Sequence, residues 1–481
     1  MAEGGGLENR IPPRVGRGFE SLPLRQRTEE AHSPKGETRV KRWLLRLALA
    51  LVGMLSSYVG LSMLLFVVIM HRASLSQVPH HSPLPPLAAH DRLLIIAPHP
   101  DDEVLGCGGL IASAAQQGIP VQVVYLTCGD GFTAAAALAT RSMPESRECL
   151  ALGKLRQSEA RRALQLLGLS GNSVVFLGYP DRGLLPMLLR PERPYRSPAT
   201  GATAVPYPEA RSPRAPYTAS ALIADLRRIL AQFQPTRVFT THPLDDHEDH
   251  MAAALFTREA IAQALAAGEL HRPPTLYYYL VHRGDWPLPQ GYHPNRPLLP
   301  PLGLEGAHWH LFALSPDARL RKEQALKAHE SQYALMPRFL SSFLRTTELF
   351  ASEPTAALQP TDDNPTIHLQ PHADLASVRV QGGREGVRVS LETLKPFRAP
   401  YQLELALLTV DAAGNWQSTR WRYPNSRLLA RQESNTLHLW LPSNALSRAE
   451  RAYLLVSTRL YGAELDRTGF IPVPLRGAHA E

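Results

Sequence analysis

The chain has 481 residues, of which 44% are hydrophobic and 20% charged, and its formal net charge is +8. This length predicts two or three folded units, and the composition is that of a globular protein. Ten Lys/Arg against six Glu in residues 1–46 contribute +4 of that charge, and no helix-turn-helix, zinc-finger or basic-aromatic pattern occurs, which argues against a nucleic-acid partner.

The N-terminal part predicts a membrane anchor. Residues 1–46 form a basic tail, and the first 42 of them have the composition of a disordered segment. The uncharged run of 24 residues at 47–70 would span about 36 Å as a helix, enough for a hydrocarbon core of roughly 30 Å. A cleaved signal peptide is the alternative, but its apolar region is usually shorter. A buried core helix is disfavoured because nothing upstream could pack around it. The basic residues before the run predict a cytoplasmic N-terminus and a periplasmic or extracellular location for everything after it.

Residues 71–90 are predicted to be a linker, and residues 91–362 an α/β domain. Strands and helices alternate there, which predicts a Rossmann-like, mostly parallel sheet that binds ligands at the carboxyl ends of its strands. The Pro- and Arg-rich connection 181–217 is predicted to be a lid or a disordered insertion. The predicted strands are 92–97, 121–127, 174–177 and 237–241, and the predicted helices are 103–117, 152–167, 219–232, 250–267, 317–329 and 337–343.

Residues 363–481 have a different pattern, with short apolar runs separated by turn residues. This spacing predicts an all-β module, a sandwich that serves either as a carbohydrate-binding unit or as a structural cap. Of the three cysteines, Cys128 and Cys149 bracket a loop and are predicted either to form a disulfide or to remain free thiols.

Two segments carry the residue types of a metal site. The first predicted strand runs into Pro98–Glu103 (PHPDDE), and a later strand runs into residues 242–250 (HPLDDHEDH), which hold three histidines and four acids. A helix cap explains one acid in the first segment but not a histidine with two acids. An ordinary solvated loop would explain either segment alone. It does not readily explain two such segments at equivalent strand ends. Because neither segment contains cysteine, a catalytic zinc site with an open position is favoured, although these ligand types also suit Fe²⁺.

The two segments resemble the PIG-L/LmbE-like family of zinc-dependent N-acetylglucosaminyl deacetylases. The resemblance covers about residues 92–350 and does not reach the anchor or the β module. It implies that His99, Asp102 and His250 hold Zn²⁺. Further matches lie at Thr127–Gly131, Arg156 with Glu159, Tyr179–Asp181 and Lys322 through Gln332.

The resemblance also implies roles for neighbouring residues. Asp101 would act as the general base toward the attacking water and then return the proton to the leaving amine. His247 would donate a hydrogen bond to the developing oxyanion, with Asp249 orienting it.

Three further residues, Asp130, Arg156 and Asp181, would by the same resemblance surround the sugar. For Arg156 a surface ion pair with Glu159 is the alternative.

The implied function is zinc-dependent hydrolysis of the N-acetyl amide of an N-acetylamino sugar, in a protein tethered to the membrane by one helix. The alternatives are an amidase for another N-acyl substrate in the same fold and a non-catalytic, membrane-tethered glycan-binding protein. Retention of Asp101 argues against the binding protein, which would not need a base. The sequence leaves the glycan and the oligomeric state open.

Overall fold

A computed structural model of the chain describes residues 35–75, 81–284, 286–301, 304, 307–352, 369–383, 386–426 and 428–475. The first 34 residues of the predicted disordered tail lie outside these residues. The predicted boundary between the α/β domain and the β module, at 362/363, also lies outside them. The chain divides into two compact units, residues 1–69 and 70–481.

The first unit contains most of α1 (Lys35–Leu75). Its segment Trp43–Leu65 is long and apolar enough to cross a membrane, a test that a signal sequence also passes. The helix begins at Lys35, whereas the sequence predicts disorder up to residue 42. Glu, Arg and Lys propagate an existing helix well, so the apolar run can extend into the charged residues before it.

The second unit contains an eight-stranded mixed sheet in the order β1-β7-β8-β6-β5-β2-β3-β4 within the described residues. Five neighbouring strands, from β6 to β4 in that order, are parallel, and β8 runs antiparallel to β6 and β7. The strands are β1 (His81–Pro83), β2 (Leu93–Ala97), β3 (Val121–Thr127), β4 (Val174–Tyr179), β5 (Arg237–Thr241), β6 (Thr275–Tyr279), β7 (His308–Ala313) and β8 (Thr347–Ser352).

The helices around this sheet bury apolar faces against it, and β2 is buried along its whole length, as expected for a central strand covered on both sides. The predicted α/β class with a largely parallel sheet is therefore confirmed. The helices are α2 (Asp102–Gln116), α3 (Thr133–Thr140), α4 (Ser146–Leu166), α5 (Leu184–Leu189), α6 (Ala219–Phe233), α7 (Glu248–Ala266), α8 (Pro316–Ala328), α9 (Glu330–Tyr333) and α10 (Pro337–Ser341).

Two predicted irregular segments are ordered. Residues 81–83 of the predicted linker form β1, which pairs in parallel with β7. The 181–217 connection is neither disordered nor a free lid, because Tyr207 and Tyr217 within it are almost fully buried in the core. Burial of these aromatic side chains offsets the entropy of ordering a long connection.

The C-terminal residues form additional antiparallel sheets. A four-stranded sheet has the order β13-β14-β10-β9, and a five-stranded sheet contains β12-β11-β15-β16 with β17 beside β15. Residues of both sheets share one hydrophobic cluster. The strands are β9 (Leu375–Gly383), β10 (Gly386–Thr393), β11 (Gln402–Val410), β12 (Trp416–Tyr423), β13 (Leu429–Glu433), β14 (Thr436–Pro442), β15 (Arg451–Leu460), β16 (Ala463–Arg467) and β17 (Ile471–Pro472).

All three cysteines are buried free thiols, so Cys128 and Cys149 form no disulfide here. The Cys128 sulfur accepts a hydrogen bond from Gln157 Nε2, whereas Cys149 packs in a small cluster with Leu152.

A buried ion pair joins α8 to β8. Lys322 Nζ lies 2.7 Å from Glu348 Oε1 and donates to Leu105 O, while the Glu348 carboxylate also accepts from the backbone of Gly109 and Leu110. Replacing Lys322 with Met should cost about 3–5 kcal/mol, because it leaves a buried carboxylate without its counter-charge.

Thermal unfolding of the full-length protein measures this loss. The matched control is Lys327→Met on the same helix, whose ion pair with Glu323 is half-exposed. It should change stability by no more than about 0.5 kcal/mol. Equal losses of stability in the two variants would contradict the stabilising role of the Lys322–Glu348 ion pair.

Candidate metal centre and active site

The two acidic, histidine-rich segments meet because their strands are neighbours. The β2 and β5 strands pair in parallel, with Leu93 opposite Arg237. Their carboxyl ends therefore open at the same edge of the sheet, and the loop after each strand begins beside the other loop.

Three donor atoms converge between these loops. His99 Nδ1 lies 3.2 Å from Asp102 Oδ2, His250 Nε2 lies 3.2 Å from the same oxygen, and the two ring nitrogens are 3.3 Å apart. Ligands about 2.0 Å from a tetrahedral ion lie about 3.3 Å from one another. The donor set thus fits a single divalent ion with a position left open.

Carboxylates also lie beside the second ring nitrogen of both His99 and His250. Asp245 Oδ2 lies 3.3 Å from His250 Nδ1, and His99 Nε2 lies 3.2 Å from Asp181 and 3.1 Å from Asp249. Metal-binding histidines characteristically have such an acceptor on the second ring nitrogen, which fixes the orientation of the ring.

The electrostatic environment favours a cation. Burial alone would lower the pKa of His250, but the carboxylates of Asp102 and Asp245 raise it to about 10. The pKa of His99 is likewise raised despite burial, chiefly by the charge of Asp181. Positive charge is therefore stabilised at the point where the three donors converge.

Asp101 lies beside this centre in a strained backbone conformation. Its φ of 123° is rare for a residue with a side chain. The Glu103 carboxylate accepts from Asp101 N, and Arg156 donates to Pro100 O and to Asp101 Oδ1. Burial raises the pKa of Asp101 to about 6, although the charge of Arg156 opposes this shift. A carboxylate with this pKa can accept a proton near neutral pH.

His247 caps the N-terminus of α7. Its Nδ1 accepts a hydrogen bond from the backbone N–H of Asp249, and burial, reinforced by the charge of His99, holds its pKa well below the usual value. The neutral ring therefore carries its hydrogen on Nε2, which makes it a hydrogen-bond donor. Asp249 therefore contacts His247 through its backbone N–H, whereas its carboxylate contacts His99 and accepts from the backbone of Arg182 and Leu184; the orienting role of Asp249 stays a prediction.

The three residues predicted to surround the sugar are all buried and bonded to protein groups. Arg156 donates to Gly129 O as well as to Pro100 and Asp101, which excludes a surface ion pair with Glu159. Asp181 contacts His99 and accepts from Gly131 N. Their contact with substrate stays a prediction.

The third of these residues, Asp130, accepts a hydrogen bond from Tyr207 of the 181–217 connection at 2.6 Å. Burial and the charge of Asp181 raise the pKa of Asp130 to about 7. This connection thus packs behind the candidate site.

Sequence reasoning missed two residues at the centre. His282 follows β6, and a ring nitrogen of it lies within 4.8 Å of ligand atoms of Asp102 and His250. Asp245 accepts from the backbone of both Val281 and His282. Recognising Thr275–Tyr279 as a strand would have predicted a site residue just after it.

Part of the chain is similar to known proteins. Residues 94–261 match the family model described as PIG-L, GlcNAc-PI de-N-acetylase. A 1D-myo-inositol 2-acetamido-2-deoxy-alpha-D-glucopyranoside deacetylase of Tsukamurella paurometabola is 28% identical over 275 residues, which are 51% of this chain and 84% of that protein. A relative of the same name from Rhodococcus erythropolis is 30% identical over 41% of this chain and 63% of its own length.

Among solved structures, the N,N'-diacetylchitobiose deacetylase of Pyrococcus horikoshii is 20% identical with a TM-score of 0.36. The match covers 55% of this chain and 84% of that one.

Proposed function

The chain belongs to the PIG-L/LmbE-like family of hydrolytic N-deacetylases, and from this premise we propose that it removes the acetyl group of an N-acetylamino sugar in a zinc-dependent reaction outside the cytoplasm. The observation that carries the proposal is the convergence of His99, Asp102 and His250 beside Asp101. Three nitrogen and oxygen donors beside a buried carboxylate suit amide hydrolysis, whereas a binding protein has no use for the base.

The proposed chemistry is divided among the metal and the side chains around it. A Zn²⁺ ion held by the three donors would act as a Lewis acid toward the acyl group and make water more acidic. Arg156 holds Asp101 Oδ1, which leaves Oδ2 to take a proton from the attacking water and to return it to the leaving amine. His247 Nε2–H would donate to the oxyanion that develops from the acetyl carbonyl, and Asp249 would orient the His247 ring through the hydrogen bond from its backbone N–H to Nδ1.

The substrate class rests on the relatives, two of which are named as deacetylases of an acetamido-sugar inositol. We infer an N-acetylglucosamine-type glycoconjugate or polysaccharide. In the proposed division of the chain, residues 91–362 form the catalytic domain and residues 363–481 form the β module.

The proposed location depends on the apolar helix. Trp43–Leu65 would cross the membrane, with the basic residues before it on the cytoplasmic side. The catalytic residues would then face the periplasm or the exterior. Cysteine labelling of intact cells at an exposed position of the second unit tests this topology, since labelling only after lysis would contradict it.

A substrate panel tests the reaction. The full-length protein, loaded with zinc, is incubated with N-acetylated mono- and oligosaccharides and a lipid-linked N-acetylglucosamine, and free amine and acetate are measured together. We expect equimolar release from at least one sugar. Release from long-chain N-acyl amides but from no N-acetyl sugar would instead identify an amidase of different substrate class, and a metal-loaded protein that cleaves neither would contradict the proposal.

Asp245 provides a prediction about metal affinity. Replacing Asp245 with Asn removes the charged acceptor behind His250 and should weaken metal binding about 10- to 100-fold. Competition with a chromogenic chelator measures the change. The control Asp411→Asn lies in an exposed turn of the β module and should leave affinity unchanged. Equal affinities in the two variants would show that Asp245 does not support the ligand.

A further inference from the structure

An arginine of the β module contacts the catalytic loop, residues 242–250. Arg467, the last residue of β16, donates from Nη2 to Asp246 O at 2.6 Å and from Nη1 to Glu248 Oε1 at 2.8 Å. These two acceptors flank His247 in sequence. The Arg467 side chain is only 16% exposed, so solvent competes little for its hydrogen bonds.

A second contact lies two residues further along the chain. A Cβ atom on Gly469 would come within 2.5 Å of Leu244 Cδ2 and 2.7 Å of Pro243 O. Only glycine allows the backbone of the module to approach this closely. The module therefore packs against the loop both before and after its midpoint.

A third contact fixes the helix that carries His250. Glu259 of α7 is fully buried and accepts from Arg451 Nε at 2.9 Å and from Tyr453 Oη at 2.6 Å, both in β15. Trp416 and Phe470 also belong to the hydrophobic cluster that contains the catalytic sheet. The module is thus packed against the catalytic domain through a continuous core.

The β module contacts one side of the catalytic loop, and the other side of this loop is bonded to the segment that follows β6. Asp245 Oδ2 and Asp246 N bond to the backbone around His282, so the inner face is tied to the end of β6. Arg467 ties the outer face at the turn where His247 points inward. Misplacing a catalytic group by about 1 Å can cost on the order of 10²-fold in rate.

We propose that Arg467 is a positioning residue and that the β module is an integral part of the catalytic unit, holding the 246–248 turn that presents His247 and His250. The inference rests on the deacetylase function proposed above. It assigns the module a role in setting the geometry of the centre, whether or not the module also binds glycan.

The test compares Arg467→Gln with Arg422→Gln in the full-length protein. Arg422 is 62% exposed and pairs with Glu404 inside the module, which makes it a matched control. We expect Arg467→Gln to lower kcat about 10- to 100-fold per bound metal, to change KM less than about threefold, and to weaken metal binding about tenfold by chelator competition. Arg467→Lys, which retains a charged donor, should restore part of each loss.

The two readouts separate this proposal from the proposed function. If the wild-type protein cleaved no substrate, metal affinity would still decide the role of Arg467. Equal kcat and equal metal affinity in the Gln variants at 467 and 422 would overturn the proposal, as would a loss of thermal stability with kcat per folded molecule unchanged. If Arg467→Gln fails to fold, Glu248→Ala removes one of the two contacts and should give a smaller loss of the same kind; no loss would overturn the proposal.

Discussion

Replacing Asp101 with Asn is expected to lower kcat for deacetylation by about 10²–10⁴-fold while the protein keeps its metal. The amide has nearly the shape of the carboxylate but cannot take a proton from water. Asp101 is not one of the three convergent donors, so the metal content should stay at that of the wild-type protein. Amine release at saturating substrate, measured together with metal content, checks both parts.

The control for this prediction is Asp317→Asn, at an exposed position in the first turn of α8. It should leave kcat unchanged. If Asp101→Asn retained wild-type kcat, the base would have to be another residue. If it lost the metal, Asp101 would be a ligand and not the base.

Replacing His250 with Ala is expected to abolish both metal binding and activity. The substitution removes one of three donors and leaves Asp102 and Asp245 as buried carboxylates without the imidazole between them. Loss of several kcal/mol of metal stabilisation at the reacting group corresponds to at least about 10³-fold in rate. Metal analysis of the purified variant and amine release measure the two effects.

Removing the metal from the wild-type protein should have the same effect on activity as the His250→Ala substitution. Dialysis against a chelator should reduce activity to the level of His250→Ala, and stoichiometric zinc should restore it. His271→Ala, an exposed histidine outside the centre, should retain metal and activity. Fe²⁺ restoring more activity than Zn²⁺ would replace zinc as the proposed cofactor without changing the donor set.

Local sequence patterns predicted the strands whose own residues strongly favour an extended, buried conformation. The buried strand before His99 and the strand before His242 were predicted within one residue of their ends, because both are short runs of apolar or β-branched residues close to Pro. The strands β6, β7 and β8 were missed, and with them the position of His282. Their tyrosines, tryptophan and charged residues do not alternate clearly.

The side-chain partners at the centre could not be read from the motifs. The family resemblance implies that Asp249 orients its neighbour His247, which its backbone N–H contacts, but it does not reveal that the Asp249 carboxylate reaches His99, 150 residues away in sequence. Likewise Arg156 and Glu159 look like a surface pair on a helix, but both point inward and bond to separate buried groups. Spacing along one helix does not determine which face is covered.

The sequence by itself predicted which two segments supply ligands for a cation, since ligand chemistry and spacing are local properties of short segments. Only the tertiary structure decided that these segments adjoin, because the pairing of β2 with β5 depends on packing between strands about 140 residues apart. It also decided that Arg467, more than 200 residues from the catalytic loop, holds that loop from outside. Contacts of this kind depend on how the two cores pack against each other. Such packing leaves no periodic pattern in the sequence from which it could be predicted.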